Sequence, residues 1–302
     1  MVSLHVSPDR LDHAVVALAA RDVSALASDG SAHLVFSSVG VRARCWQNIG
    51  VTLVPSAPMR VQLCGPLVVA VDGRRIDALL PGRQGRMLFA YLVLQRHRNV
   101  GRDELAEALW PHDPPQTAER GLNPLISKLR RSLEPASLEG RSSLQLRLPD
   151  DAWVDVEAAE QGAHRAESRV ALGQWGAAWG PALVALFVSE RTFLPECTGV
   201  WIDDQRAMLA ALRIRAVEAY AAAALGLGGT ELPAAVRAGR QLVRLVPLRE
   251  SGYQILMQAL ARQGNVAEGL AVYADLCRTL RDELGVSPSA TTRQVYDQLL
   301  HT

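Results

Sequence analysis

Apolar and polar residues alternate in two stretches of the chain, and a period of two is typical of β-strands. The first stretch covers residues 59–77, and the pair Asp72-Gly73 within it is a strong hairpin signal. The second covers residues 143–148, where three leucines alternate with polar residues. We therefore predict a strand pair in the first stretch, and in the second a strand that forms part of a further hairpin.

A helical period separates these two stretches. Apolar residues three and four positions apart predict helices over residues 84–95, 101–110 and 117–133. The segment PHDPP at 111–115 must form a turn, because proline cannot continue a helix. Strands, three helices and a closing hairpin follow one another in the order of a winged helix-turn-helix, whose last helix would lie in a DNA groove.

From residue 155 onward the period is helical throughout. The predicted helices cover residues 155–172, 174–187, 201–226, 231–246, 250–263, 265–284 and 289–300. Ala235 and Ala267 occupy similar places in two of them and are 32 positions apart, close to the tetratricopeptide period of roughly 34. We predict a mainly α protein with a small β component, in which a winged helix-turn-helix is followed by a tetratricopeptide-like α-helical array.

The first 58 residues show no apolar pattern that joins them to the rest. We expect residues 1–58 to be a leader, either a disordered extension or a segment that precedes a natural start at Met59. A small additional subdomain is the alternative. The predicted domains are then this leader, a DNA-binding domain over residues 59–150 and a helical domain over residues 151–302.

Net charge is distributed unevenly, although the whole chain carries only +1. Residues 59–150 carry 14 Lys and Arg against 10 Asp and Glu, a net charge of +4. Residues 151–302 carry 14 Arg against 17 Asp and Glu, a net charge of −3. A basic middle and an acidic remainder fit a nucleic-acid reader joined to a part that does not touch nucleic acid.

The composition argues against several other classes of protein. No run of 18 apolar residues predicts a transmembrane helix, and the N-terminus lacks the features of a signal peptide. The four cysteines are scattered without a CxxC pair, which argues against a disulfide framework or a structural zinc site and fits a reducing cytoplasm. We therefore predict a cytoplasmic protein with no cofactor, no metal and no membrane partner.

The predicted helix 117–133 has one apolar face and one polar face. Its apolar residues cluster on the face that should pack on the other two helices: Leu122, Leu125, Ile126, Leu129 and Leu133. Arg and Asn suit base edges, Lys, Arg and Ser suit phosphates, and the free N–H groups of a helix N-terminus attract phosphate. The candidate DNA-binding residues are Gln116, Thr117, Arg120, Asn123, Ser127, Lys128, Arg130 and Arg131, with Arg141 and Arg147 in the predicted wing.

One alternative competes with this interpretation, and two residues are unfavourable for the predicted helix. A basic amphipathic helix taken alone is more often a solvated surface than a reading helix, and only its place as the third helix of the trio, after a tight turn and before a hairpin, favours DNA. Gly121 and Pro124 are also poor residues inside a helix. Pro124 either starts a new helical turn with Asn123 as its cap or kinks the helix.

Enzyme chemistry finds no support in the residue pattern. Asp203 and Asp204 are adjacent, so they point to different helix faces and do not form an acid/base pair. Trp175 and Trp179 share one apolar helix face, which favours core packing over a ligand site. The glycine-containing segment PGRQGR at 81–86 lacks the lysine of a phosphate-binding loop. We predict no catalytic residue.

Residues 59–302 resemble the antibiotic-regulatory (SARP) type of bacterial transcriptional activator. That family joins a winged helix of the response-regulator type to a bacterial transcriptional activator domain made of tetratricopeptide-like helices. The motifs that carry the resemblance are ALW at 108–110, LISKLRRSL at 125–133, WVDV at 153–156, PLRE at 247–250, LMQALARQGN at 256–265 and DELGVSPS at 282–289.

The resemblance implies binding of double-stranded DNA near promoters by the helix 117–133, with the wing around residues 141–147 on the DNA backbone. It also implies contact with RNA polymerase and activation of transcription at the bacterial nucleoid. A homodimer formed through the helical array is a further expectation. The alternative function is a tetratricopeptide-like protein-interaction module whose DNA-binding domain has degraded. The leader and the Gly121/Pro124 pair depart from the family pattern.

Overall fold

The computed structural model describes residues 59–110, 118–133 and 136–301, and of Ala118 and Glu119 it describes the backbone alone. The predictions for residues 1–58 lie outside the described residues. The described chain forms two compact units: one comprises the residues up to Ala158 together with Val188–Ala211, and the other comprises Ala159–Phe187 and the residues from Leu212 onward. No helix in the described part of the chain is long and apolar enough to cross a membrane.

The elements follow the predicted order. The strands are β1 (Met59–Gln62), β2 (Val68–Val71), β3 (Arg74–Arg75), β4 (Val100–Gly101), β5 (Ser137–Glu139), β6 (Ser143–Arg147) and β7 (Trp153–Val154). The α-helices are α1 (Gly82–Leu94), α2 (Arg102–Leu109), α3 (Ala118–Ser132), α4 (Asp155–Ala171), α5 (Trp175–Ser189), α6 (Val200–Leu227), α7 (Leu232–Leu245), α8 (Glu250–Arg262), α9 (Val266–Leu284) and α10 (Ala290–Leu300). The mainly α fold with a small β component is confirmed, and each predicted helix lies within two residues of its observed bounds.

A four-stranded sheet in the order β3-β2-β1-β7 opens the first unit. The predicted hairpin at Asp72-Gly73 is confirmed, since β2 pairs antiparallel with β3 across these two residues. Both residues have positive φ, 47° and 77°, as the tight two-residue hairpin turn requires. The last strand, β7, pairs parallel with β1, so a segment more than 80 positions downstream closes the sheet.

Three helices and a second sheet complete the winged helix. Helix α1 buries Leu88, Phe89 and Leu92, and α2 buries Leu105 and Leu109. The second sheet has the order β4-β6-β5, and its β5–β6 hairpin is the predicted wing. The winged helix-turn-helix predicted from the apolar pattern is therefore present.

Asp155 is fully buried and links the segment that follows β1 to the start of α4. Its carboxylate accepts hydrogen bonds from the backbone N–H groups of Leu63 (2.9 Å) and Cys64 (2.8 Å), which follow β1, and from Val156 (2.9 Å) at the start of α4. Burial raises the pKa of Asp155, and the backbone donors and the charge of Arg191 oppose that rise. The aspartate of the WVDV motif is thus a structural acceptor.

Residues 188–211 belong to the same unit as the winged helix. The indole of Trp201 lies edge-on to Tyr91 of α1, with ring centroids 5.1 Å apart, and edge-on to Phe193 at 6.1 Å. Its Nε1–H donates to the carbonyl of Ala108 at 3.0 Å, one of the last carbonyls of α2 that have no partner within their own helix. Trp201 therefore completes the core beneath α1 and caps the end of α2.

Trp201→Phe should lower the free energy of unfolding by about 1 kcal/mol, because the ring contacts remain and the hydrogen bond to Ala108 is lost. Urea titration of the full chain measures the change. Trp153→Phe is a matched control, because its indole lies over Arg60 and donates to no acceptor in the described residues. Equal destabilisation by the two variants would contradict the role given to the Trp201 hydrogen bond.

The second unit is an array of paired helices. Small residues let neighbouring helices approach closely: an added Cβ at Gly239 of α7 would lie 3.1 Å from Leu256 of α8, and one at Gly269 of α9 would lie 2.8 Å from Leu299. Apolar clusters fill the spaces between the helices, one of them around Tyr253, Leu276 and Leu280. The tetratricopeptide-like array predicted from the sequence is the architecture observed.

A polar network fixes the last helix of the array. The Glu250 carboxylate, at the start of α8, accepts from the backbone N–H (2.9 Å) and hydroxyl (2.8 Å) of Ser289 and from the hydroxyl of Thr292. Ser289 also caps α10 by accepting from the backbone N–H of Thr292. Desolvation opposes ionisation of Glu250, but these hydrogen bonds prevail and lower its pKa. The PLRE and GVSPS motifs thus meet in one structural contact.

Candidate DNA interface

Helix α3 has one face in the core and one face in solvent. Leu122, Ile126 and Leu129 are buried, and Leu133 just beyond the helix end is buried as well. Leu125, predicted for the same face, is only partly buried. The apolar face therefore fixes the rotation of the helix about its axis and leaves the opposite face exposed.

The exposed face carries most of the candidate residues. Arg120, Asn123, Ser127, Lys128 and Arg131 are all exposed. Within the described residues no carboxylate pairs with the three basic side chains; Arg131 Nε donates to the carbonyl of Ser127 at 3.3 Å. A face of cationic and amide groups with no acidic partner has the chemistry that phosphates and base edges require. The candidates Gln116 and Thr117 lie outside the described residues.

Helix α3 continues through Pro124. The helix does not restart there, and the Asn123 side chain does not cap a new turn: its Oδ1 accepts from Arg102 instead. Because proline has no N–H, the carbonyl of Arg120 loses its usual helical partner. Pro124 is exposed, so this carbonyl lies on the solvent side of the helix, where water can satisfy it.

The wing turn depends on glycine. Gly140 has a φ of +89°, and a Cβ built there would lie 2.0 Å from the carbonyl oxygen of Ser143. Candidate Arg147, on β6, pairs with Glu139 on β5 at 3.5 Å, and both side chains are more than half exposed. Candidate Arg141 is exposed in the turn. The wing therefore presents two arginines, Arg141 and Arg147, and Arg147 forms an ion pair with Glu139.

Arg130 joins the helix to the wing. Its Nε donates to the carbonyl of Leu138 at 3.0 Å, and its Nη2 donates to the carbonyl of Gly140. Two of its donors are therefore engaged within the protein. Among the candidates on α3, it is the residue whose side chain hydrogen-bonds to the wing. This geometry gives Arg130 a supporting position between the two proposed DNA-contacting elements.

Arg130→Met should reduce affinity for duplex DNA about tenfold, since the wing loses hydrogen bonds from a charged donor worth about 1.5–3 kcal/mol each. Arg130→Lys keeps the charge but not the forked donor geometry, so it should lose nearly as much affinity. Anisotropy titration with a labelled duplex measures both. Full recovery in the lysine variant would show that charge alone matters and that the wing contact does not.

Arg102 was not among the sequence candidates, yet it lies between α3 and the wing. Its Nε donates to the carbonyl of Arg141 at 2.6 Å, and its Nη1 donates to Oδ1 of Asn123 at 2.9 Å. One sequence signal could have identified it. Arg102 opens α2, and a cation in the first turn of a helix is electrostatically unfavourable, which points to a role outside the helix.

Three other residues weighed in the sequence, Asp203, Trp175 and Trp179, have structural contacts. Asp203 pairs with Arg206 at 2.9 Å, and the Trp175 ring lies so close to Gly226 that an added Cβ would be 2.2 Å from it. The ring centroids of Trp179 and Tyr220 are 6.2 Å apart. Across the described residues, no group of three or more His, Cys, Asp or Glu side chains is placed to hold a metal ion.

Fold and surface together define an architecture: a winged helix whose third helix has a basic exposed face precedes a tetratricopeptide-like array. Two family models match the chain in this order. "Transcriptional regulatory protein, C terminal" matches residues 80–143, and "Bacterial transcriptional activator domain" matches residues 154–300. The chain belongs to the SARP-type family of bacterial transcriptional regulators.

Several curated proteins are similar over about four-fifths of the chain. Regulatory protein AfsR of Streptomyces coelicolor is 32% identical over 246 residues, which are 81% of this chain and 24% of AfsR. Transcriptional regulatory protein MoaR1 of Mycobacterium tuberculosis is 28% identical, with 80% of this chain and 79% of MoaR1 covered. Regulatory protein DnrI of Streptomyces peucetius is 28% identical, with 80% and 92% covered. The chain thus spans about a quarter of the length of AfsR and most of the length of DnrI.

A solved structure supports the fold. Mycobacterium tuberculosis EmbR, determined in complex with a low-affinity phosphopeptide, superposes with a TM-score of 0.67 at 24% identity. The match covers 81% of this chain and 65% of that chain. At this identity the likeness concerns the arrangement of helices and strands.

Proposed function

We propose that this protein is a sequence-specific, DNA-binding activator of transcription. Helix α3 enters the major groove, and the wing lies along the neighbouring phosphate backbone. The observation that carries the proposal is the exposed face of α3, where Arg120, Asn123, Lys128 and Arg131 project from a helix whose apolar face is locked in the core. The family of the chain supports the same function.

The proposed roles follow the chemistry of each side chain. Lys128 and Arg131, near the end of α3, bind phosphates, while Arg120, Asn123 and Ser127 face base edges. Gln116 and Thr117 donate to a phosphate at the start of the helix. Arg130 holds the wing, and Arg141 and Arg147 contact the backbone from it. In this division residues 59–150 read DNA and residues 151–302 serve activation.

The helical array is proposed to contact RNA polymerase and to join two copies of the chain on tandem sites at the bacterial nucleoid in the cytoplasm. Its negative balance, 17 acidic residues against 14 arginines over residues 151–302, makes direct contact with DNA unfavourable and leaves it free for protein partners.

One observation favours a second candidate, a protein-interaction module. A groove of about 560 Å³ lies between α7, α8 and α9, with Tyr253, Leu256 and Val272 in its lining. Concave surfaces of helical repeats commonly bind protein partners. In this reading the array acts through the groove, and the winged helix has lost its affinity for DNA.

Anisotropy of the full chain with a labelled random duplex pool at two salt concentrations separates the two candidates. The bound fraction is then sequenced. The proposed function predicts binding that weakens steeply with salt, together with an enriched sequence repeat. No binding at low salt would contradict it and leave the interaction module as the better account. Salt-sensitive binding without an enriched sequence would contradict the claim of sequence specificity.

A further inference from the structure

Asn123 lies on the exposed face of α3 with its amide oriented by a neighbour. Its Oδ1 accepts from Arg102 Nη1 at 2.9 Å, and Arg102 is itself anchored through Nε to the carbonyl of Arg141 at 2.6 Å. A guanidinium group has donors and no acceptor. The amide must therefore turn its oxygen toward Arg102, and the Nδ2–H₂ group is left on the other side.

The Nδ2–H₂ group of Asn123 then determines which base edge is complementary. Within the described residues Nδ2 has no hydrogen-bond acceptor, and Asn123 is exposed in the N-terminal half of α3, the part of a recognition helix that meets bases. In the major groove guanine presents two acceptors, N7 and O6. Adenine presents the acceptor N7 beside the donor N6–H₂. The usual bidentate pairing of asparagine with adenine requires a free amide oxygen.

We infer that Arg102 is a specificity-determining positioning residue, which makes Asn123 a reader of guanine rather than adenine. The inference rests on the proposed function, since it concerns the base met by α3. Arg102 acts through Asn123: it engages the amide oxygen and turns it toward the start of α2, so that the Nδ2–H₂ group is the part of the amide left for a base edge. An N–H₂ group facing adenine N6–H₂ would place donor against donor, whereas guanine accepts at both positions.

The competing interpretation is that Arg102 only braces the wing through its bond to the Arg141 carbonyl. A brace would alter the total affinity for every duplex and leave the preferred base unchanged. The preference between guanine and adenine at one position is therefore the readout that a purely structural role would not move.

The test is selection and sequencing of a random duplex pool with the full-length chain and its variants. Asn123→Ala identifies the operator position that Asn123 reads, because preference is lost there. At that position the wild type should favour guanine, and Arg102→Ala should lower the guanine-to-adenine ratio at least about fivefold as the amide becomes free to pair with adenine. Arg102→Lys retains a donor to the amide oxygen and should keep guanine.

Two further variants complete the design. Asn123→Asp keeps an acceptor for Arg102 but offers only oxygen to the groove, so its preference should move to cytosine, whose N4–H₂ donates. This surface change also keeps the inference testable if Arg102→Ala does not fold. Arg75→Ala removes an equal charge from an exposed side chain that pairs with Asp77, and it should leave all base preferences unchanged.

Each result has a definite meaning. Enrichment of adenine by the wild type at the Asn123 position would overturn the inference, as would an unchanged base ratio in Arg102→Ala. In both cases the proposed function would stand, because sequence-specific binding had been observed. If the wild type enriched no sequence at all, the proposed function would fail and this inference with it.

Discussion

Asp155→Ala is expected to lower the free energy of unfolding by about 4 kcal/mol, a large part of the stability of a typical domain. The substitution leaves the N–H groups of Leu63 and Cys64 buried without an acceptor, and each such group costs about 1–3 kcal/mol. It also removes the acceptor of the Val156 backbone N–H group at the start of α4. Urea titration of the full chain, followed by tryptophan fluorescence, measures the loss.

The control for this prediction is Asp151→Ala, which removes the same charge from an exposed residue four positions earlier and should change stability little. Asp155→Asn should lie between the two at about 2 kcal/mol, because an amide oxygen can accept from one N–H while its own N–H₂ faces the other. A loss below about 1 kcal/mol in Asp155→Ala would mean that other acceptors replace the carboxylate.

The double variant Lys128→Ala/Arg131→Ala should bind duplex DNA about 100-fold more weakly than the wild type at moderate salt, because two phosphate contacts are lost. The dependence of log affinity on log salt should become shallower by about 1.8, or about 0.9 for each phosphate released. The selected sequence should remain the same, since neither side chain is proposed to read a base. Titrations by anisotropy at several salt concentrations give both quantities.

Arg165→Ala/Arg278→Ala is the matched control. Arg165 is exposed on α4 and donates from Nε to the carbonyl four positions earlier at 3.3 Å, the same contact that Arg131 makes on α3. Arg278 is exposed on α9. The control removes the same net charge from the helical array, so its salt slope should match the wild type. Equal slopes for both double variants would place the DNA interface elsewhere than on α3.

Local signals were sufficient for the elements of the fold. The Asp72-Gly73 hairpin and the helical periods depend on neighbouring residues, so their bounds could be predicted closely. The predicted turn at residues 111–115 lies outside the described residues. The apolar face of α3 was predicted for the same reason, with Leu125 as the exception. Its partial exposure depends on how far the other helices extend over it, which periodicity does not report.

Contacts between distant residues could not be predicted in this way. Asp155 looked like an ordinary polar residue in WVDV, and only the pairing of β7 with β1 places it beside Leu63 and Cys64. Trp201 is 93 positions from the carbonyl that it caps. Arg102 meets Asn123 only because α2 and α3 pack together in the fold, which brings the start of α2 beside α3. Pattern reasoning identifies the polar face of a helix but not the neighbour that orients each side chain.

Lys128 is the only lysine of the chain, and it is exposed on the proposed recognition face. An amine-selective acylating reagent can therefore modify one side chain, and modification removes its positive charge. Duplex bound to α3 should shield that amine from the reagent. Because the N-terminal amine reacts as well, occupancy of the helix by DNA would be measured after digestion, as the fraction of the Lys128-containing peptide that carries no acyl group, with no substitution in the protein.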